Sequence, residues 1–401
     1  MKLFKPFPVP QIRFHTFNMT GVGEKASSTP PLFPYMYPYS TDKLVKQINL
    51  IIGKKELSLG MIINNESQEH LHPEGGLFTR PDCVRETLYV ITPVFNPQRY
   101  RSRWKLYKNF EKYVLDSKQA HLVTIECTFG NREKALVQDM GDNHTVLHVR
   151  TDHEIWIKEN LINLAISRLP SNWKYVAWID ADVVFARPDW VGETIQQLQH
   201  NQVVQMFSHA VDLSPDFQIL KNHTGFMYCY KNNIPNMNKR MALPHYYEDT
   251  TTGSYWHPGF AWAARREAID HLGGLVDWSV LGGGDMFMAY GLVGQLTNKT
   301  MPHSLGINGV RALAEWQARA EKFIQRNVGY VPGLLLHYWH GKKIDRRYND
   351  RGQILVKCKF DPELDLKKDW QSLYQLTDRD FTLRDEIRSY FRQRNEDSID
   401  T

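Results

Sequence analysis

The stretch Tyr175-Val-Ala-Trp-Ile-Asp180-Ala-Asp182-Val-Val-Phe185 is an apolar run broken by two carboxylates one residue apart. Val176, Trp178 and Ile179 read as a strand buried on both faces. Alternation turns Asp180 and Asp182 to one side at the strand's carboxyl end, where open α/β sheets hold their ligands. Two anions side by side at a buried strand end repel each other and are costly to desolvate. The pair therefore predicts a positive partner, and a divalent cation is the first candidate.

Outward from that strand the pattern is α/β. Residues 88–93 read as a buried strand stopped by Pro93, residues 121–127 and 145–149 as two more, and residues 203–207 as another. Helical spacing runs over residues 103–115, 155–169 and 194–200. Strands alternating with helices predict parallel β–α units and a mostly parallel, Rossmann-like sheet flanked by helices. Residues 1–85 lack sustained periodicity and are rich in Pro, Tyr and Phe. They read as an N-terminal extension packing on the core, with a hairpin or a short amphipathic helix near residues 48–59. The main domain is expected over residues 86–352. The C-terminal part, 353–401, is expected to be helical, ending in a helix over 383–394 and a frayed polar tail, 395–401.

With 42% hydrophobic and 23% charged residues in 401, the composition is that of an ordinary globular protein, and a net charge of +5 describes a mildly basic surface. An aromatic content of 12% is high enough to accommodate sugar- or base-binding surfaces. Four scattered cysteines with no Cys-x-x-Cys pair argue against a thiolate zinc site. Residues 1–10 place prolines where a secretory signal needs an apolar helix, and no segment has the length of a membrane span. The five Asn-x-Ser/Thr sequons, at Asn18, Asn65, Asn143, Asn222 and Asn298, are accordingly read as chance, and the expectation is a soluble cytoplasmic protein.

Two further segments carry chemistry. Residues 334–343 form an apolar run ending in His337, with His340 one turn on, followed by Lys342, Arg346, Arg347 and Arg351, cationic groups suited to phosphate oxygens. A solvated basic turn accounts for any single arginine equally well. Gly282, Gly283 and Gly284 then lead into Asp285 and an apolar helix, so backbone can approach a ligand closely just before an acid. A helix N-cap is the structural reading of Asp285.

These three segments resemble a GT-A-type, nucleotide-sugar-dependent glycosyltransferase, most similar to the soluble ones of large bacteriophages and other large DNA viruses. The similarity spans residues 88–351. The resemblance implies a GT-A fold and Mn²⁺ or Mg²⁺ bridging the two phosphates of a nucleoside-diphosphate sugar. Asp182 would ligate the metal, with Asp180 bridging or on the ribose, and His337 as the late histidine ligand. His340 and Lys342 would take the diphosphate, though the two histidines can exchange roles, and Arg347 and Arg351 would add to it. The first strand's end, Thr92, Pro93 and Phe95, would receive base and ribose, with Glu126 accepting from either. Lys158 and Asn163, with Asn160 beside it, would reach the donor sugar, a plain helix surface being the competing reading. Asp285 would be the general base of an inverting enzyme, taking a proton from an acceptor hydroxyl. Trp256, His257, Gly283 and Gly284 would line the acceptor, while Trp278 fits core packing better. A viral-type enzyme would act in the host cytoplasm on a glycan, a protein or hydroxymethylated viral DNA bases.

A retaining enzyme would share the metal site and use Asp285 only to position the sugar. Two other classes remain. A sugar-1-phosphate nucleotidyltransferase shares the carboxylates but normally carries a glycine-rich basic loop after the first strand, and residues 92–99 have no glycine. A non-catalytic sugar- or nucleotide-binding module has no need of Asp285.

Overall fold

A computed structural model describes residues 86–136, 143–236, 255–296, 305–348 and 350–400. The expectations for residues 1–85, and for the sequon at Asn298, lie outside these. In chain order the first half runs β1 (Leu88–Phe95), α1 (Arg101–Asp116), β2 (Ala120–Phe129), β3 (His144–Thr151), α2 (Lys158–Ile166), β4 (Tyr175–Ile179), β5 (Val183–Phe185) and α3 (Trp190–His200). There follow β6 (Val203–Gln205), β7 (His209–Leu213), β8 (Ile219–Gly225), α4 (Phe226–Lys231), β9 (Trp256–His257), β10 (Ala261–Arg265), α5 (Arg266–Leu272) and α6 (Gly284–Leu292). The last part is α7 (Ile307–Arg319), β11 (Val328–Tyr330), β12 (Leu334–His337), α8 (Gly352–Lys357), α9 (Pro362–Asp365), β13 (Leu366–Lys368), β14 (Tyr374–Leu376) and α10 (Phe381–Gln393).

Seven strands form the main sheet in the order β11-β6-β10-β4-β1-β2-β3. All neighbours run parallel except β10, which is antiparallel to both β4 and β6. This is the expected mostly parallel α/β sheet flanked by helices. Both faces are covered, and β4 shows why its sequence is continuously apolar. Val176 and Trp178 pack into one core layer with Leu161, Ile162 and Ile269. Tyr175, Ala177 and Ile179 pack into the other with Phe110, Val114 and Trp190. A second, five-stranded sheet in the order β5-β12-β7-β8-β9 stands beside the first.

Three local expectations are corrected. The helix expected over 155–169 spans only Lys158–Ile166, because the Trp156 amide hydrogen-bonds the Val280 carbonyl instead of entering a helical turn. The C-terminal part is not all helical. Asp369 accepts from the amides of Gln371 and Leu373, an Asx-type turn that joins β13 and β14 as a hairpin. Nor are residues 395–400 a frayed tail: Glu396 is buried and Asp397 accepts from the first amides of α1.

Candidate metal centre and active site

The strand order places the site. From β1 the chain builds outward to β2 and β3 on one side, whereas β4 lies on the other, so β1 and β4 flank a topological switch point. Thr92 Oγ1 donates to the Ile179 carbonyl at 2.9 Å, tying the two strand ends together. Beyond Ile179 the chain leaves the main sheet through Asp180-Ala181-Asp182 and enters β5 of the second sheet. There β5 pairs with β12, and β12 with β7, in a register that sets His337 beside both Val183 and Asp212. The Tyr338 amide donates to the Asp182 carbonyl at 2.8 Å. Two chain segments 155 residues apart are thus locked side by side (337 − 182).

Among the described residues, Asp182, His337 and His340 form a buried group whose ligand-type atoms lie within 4.8 Å of one another. His340 Nε2 is 3.0 Å from Asp182 Oδ2, His337 Nε2 is 3.8 Å from Asp182 Oδ1, and the two Nε2 atoms are 3.2 Å apart. Ligand atoms about 2.1 Å from one shared ion, at roughly 90–109° to each other, stand about 3.0–3.4 Å apart. The observed spacings need only a small closure at His337. Asp182 Oδ1 is buried without a hydrogen-bond partner, which a cation would supply. The residues therefore fit a divalent ion. Two imidazoles with one carboxylate favour Mn²⁺ or another first-row ion over Mg²⁺, which prefers all-oxygen surroundings.

The electrostatics agree with that use. Burial raises the Asp182 carboxyl, but His340, His337 and Arg103 outweigh it and hold the group below the usual carboxylate range. Burial, with Arg346 beside it, lowers His340 to about 4, so the ring is neutral at pH 7 and able to coordinate. His337 Nδ1 donates to Asp212 Oδ1 at 2.8 Å, leaving the Nε2 lone pair toward Asp182. Asp212 also accepts from His223 Nε2 at 2.6 Å and from Lys343. Despite burial, His223 and Lys343 keep its carboxyl well below the ordinary range.

A second group lies alongside. Asp180 pairs with Lys158 at the start of α2 and does not join the Asp182 trio. Burial raises Asp180, Lys158 offsets part of this, and the charge on Asp182 raises it further. Asp285 stands in the first turn of α6, where Gly283, at φ +98°, is the N-cap, a role the structural reading had given to Asp285. A β-carbon on Gly259 would come within 2.9 Å of Asp285 Oδ2, so that glycine makes room for the carboxylate. Gly284 does the same for Glu159, whose carboxyl burial raises to about 7.

Most of the other expected site residues have partners within the fold. Glu126 accepts from the amides of Ala135 and Leu136, Asn163 is exchanged with Leu275, and Asn160 bonds Ser372 and Tyr374. Pro93 lies within β1 opposite Ile125. Phe95 meets Trp156 edge-on at 5.2 Å, and both line a cleft with Asn96, Arg103 and Arg394. Arg351 donates to Tyr390, Arg347 pairs with Asp350, and Lys342 is half-buried on the same turn. Trp256 is buried with its indole donating to Ile234, and His257 stacks on Phe260. Trp278 stacks on Phe287, the packing role expected for it.

Sequence reasoning missed Asp212, Glu159, Arg103 and Glu396. Asp212 had a signal, a lone acid in the apolar strand 209–213; the others had none, because only tertiary contact brings them to the site.

No protein-family model and no curated protein matches the chain. Solved structures similar to it include the catalytic domain of Drosophila β1,4-galactosyltransferase 7 in complex with xylobiose, at 11% identity and TM-score 0.27, covering 54% of this chain; the chain spans 63% of that one. A mannosyltransferase from Pyrobaculum calidifontis, in complex with GDP-Man and Mn²⁺, is similar at 10% identity and TM-score 0.34, over 87% of this chain and 80% of that. A 4-diphosphocytidyl-2C-methyl-D-erythritol synthase from Anaerococcus prevotii is similar at 11% identity and TM-score 0.31, over 62% and 89%. Among the described residues, no helix is long and apolar enough to cross a membrane.

Proposed function

We propose that the chain is a metal-dependent glycosyltransferase that moves a hexose or pentose from a nucleoside-diphosphate sugar to an acceptor hydroxyl. The observation that carries the reading is the convergence of Asp182, His337 and His340 at the switch point of a parallel sheet, where such folds bind nucleotides. Asp182, His337 and His340 would hold Mn²⁺, which supplies positive charge against the departing diphosphate. The chain's own groups do the rest. Phe95 and Trp156 border a cleft that would take the base, and Asp180 would meet the ribose. Arg346 is a buried guanidinium with an unpartnered Nε, and Arg351 lies close by over Tyr348; both suit phosphate oxygens. Asp285, whose charge is felt by Lys158 and Asp180, would accept the proton of the acceptor hydroxyl in an inverting reaction. The acceptor is a glycan, a protein hydroxyl or a hydroxymethylated base.

A panel of nucleotide sugars, incubated with Mn²⁺ and candidate acceptors, tests the reading. Release of a nucleoside diphosphate is expected; conversion to sugar 1-phosphate and nucleoside triphosphate, seen only when pyrophosphate is added as co-substrate, would mark a nucleotidyltransferase instead. Asp182→Ala should lose Mn²⁺ binding and turnover while remaining folded. Full activity of that variant in EDTA would sink the proposal.

A further inference from the structure

A histidine that binds a metal through one ring nitrogen carries its proton on the other, and that N–H needs an acceptor. For His337 the acceptor is Asp212. His340 is different. Its Nε2 faces Asp182 Oδ2 at 3.0 Å, while its Nδ1 is buried without a hydrogen-bond partner. On that side lies Oε2 of Glu396, 3.9 Å away. A proton on Nε2 would be donated to Asp182 and would leave Nδ1 bare. Coordination through Nε2 requires that the ring's single proton sit on Nδ1 instead, so the imidazole stays neutral and Asp182 keeps its charge. The relocated N–H then lies on the side of Glu396.

The position of Glu396 is built by many contacts. It is 2% exposed and paired with both Arg103 and Arg394. Asp397 is fixed to the amides of Arg101 and Ser102, the Ser398 carbonyl accepts from the Trp339 indole at 2.6 Å, and the Asn395 amide reaches Tyr100. Gly341, directly after His340, has φ +90°, and a β-carbon there would stand 2.7 Å from the Asn395 carbonyl oxygen and 2.8 Å from the Glu396 Cα. Only glycine lets the C-terminal segment lie this close to the histidine. The segment has little apolar surface to bury, and its one aliphatic residue, Ile399, is exposed. Its anchors hold one carboxylate behind His340.

We infer that Glu396 is the positioning residue of His340, the counterpart of Asp212 behind His337, so that the C-terminal segment is part of the metal centre. This rests on Asp182, His337 and His340 being ligands of one ion. The test is Co²⁺ titration of the chelator-stripped full-length protein, followed by calorimetry and visible absorption, with melting curves for each variant. The wild type takes up Co²⁺ at one site. Glu396→Gln weakens uptake by about 10–100-fold and changes the visible band, since the ring N–H then faces a neutral amide in place of the charged acceptor that fixes its orientation. Glu396→Asp keeps a charge for the two arginines but draws it back from His340; it weakens uptake by less, and decides the matter if the glutamine variant does not fold. Folded Glu396 variants with wild-type affinity and spectrum would overturn the inference and leave the ligand set standing. A wild type that takes up no Co²⁺ would remove the ligand set, and the inference with it.

Discussion

His337 and Asp212 face each other across neighbouring parallel strands, Nδ1 donating to Oδ1 at 2.8 Å, both almost wholly buried. The carboxylate selects the ring tautomer and fixes the plane in which Nε2 presents its lone pair. Asp212→Asn is expected to weaken Mn²⁺ binding by about 10–100-fold with the fold retained. Calorimetric titration of the chelator-stripped variant measures this. An unchanged affinity would show that Asp212 serves only His223 and Lys343.

Gly259 and Asp285 give a second test. A methyl at residue 259 would sit 2.9 Å from Asp285 Oδ2 and 3.2 Å from the His257 ring, and the carboxylate is the softer neighbour. Gly259→Ala should therefore fold with a loss of no more than about 1–3 kcal/mol. Its turnover should fall about 10²-fold or more, because the proposed base is moved from its place. Turnover close to wild type would argue that Asp285 is not the base.

The Glu159 carboxyl sets a pH dependence of stability. Burial raises it from an ordinary 4.5 to about 7, Lys158 offsetting part of the rise and Asp285 adding to it. Between those values the folded chain binds more protons than the unfolded one, so this group's contribution to stability falls as pH rises. The full difference is roughly 3 kcal/mol. Glu159→Gln should lose about that much less than the wild type between pH 4.5 and pH 8. Urea denaturation at both pH values reads the difference, and equal losses in the two proteins would refute it.

Asp397 caps α1 from the other end of the chain, accepting from Arg101 and Ser102 at 3.0 and 2.8 Å. Asp397→Ala should cost about 1 kcal/mol, and Asp397→Asn less, because the amide keeps an acceptor but loses the charge beside the helix N-terminus. Denaturant midpoints of the three proteins rank them. No difference among them would mean that solvent caps the helix equally well.

The buried strand 175–179, the carboxylates that follow it and the alternation of strands with helices were legible because each is written in residues adjacent along the chain. Hydrophobic period and strand-end position need no partner to be read. The late histidines were legible too, as polar residues closing an apolar strand. Asn160, Asn163 and Glu126 looked equally available for a ligand, yet their side chains satisfy backbone amides and carbonyls that the loops of this fold leave open.

Local chemistry by itself therefore determined that a mostly parallel sheet would end in paired acids. Tertiary structure decided which acid meets the histidines. Asp182 does, because β5 crosses into the second sheet beside β12, while Asp180 turns to Lys158. It also decided that a polar C-terminal segment would be ordered, since Glu396 gains its partner Arg103 only when residues remote in the chain are packed together. Charge pairing and hydrogen bonding act over a few ångströms of space, whatever the separation in sequence, and no periodicity records them.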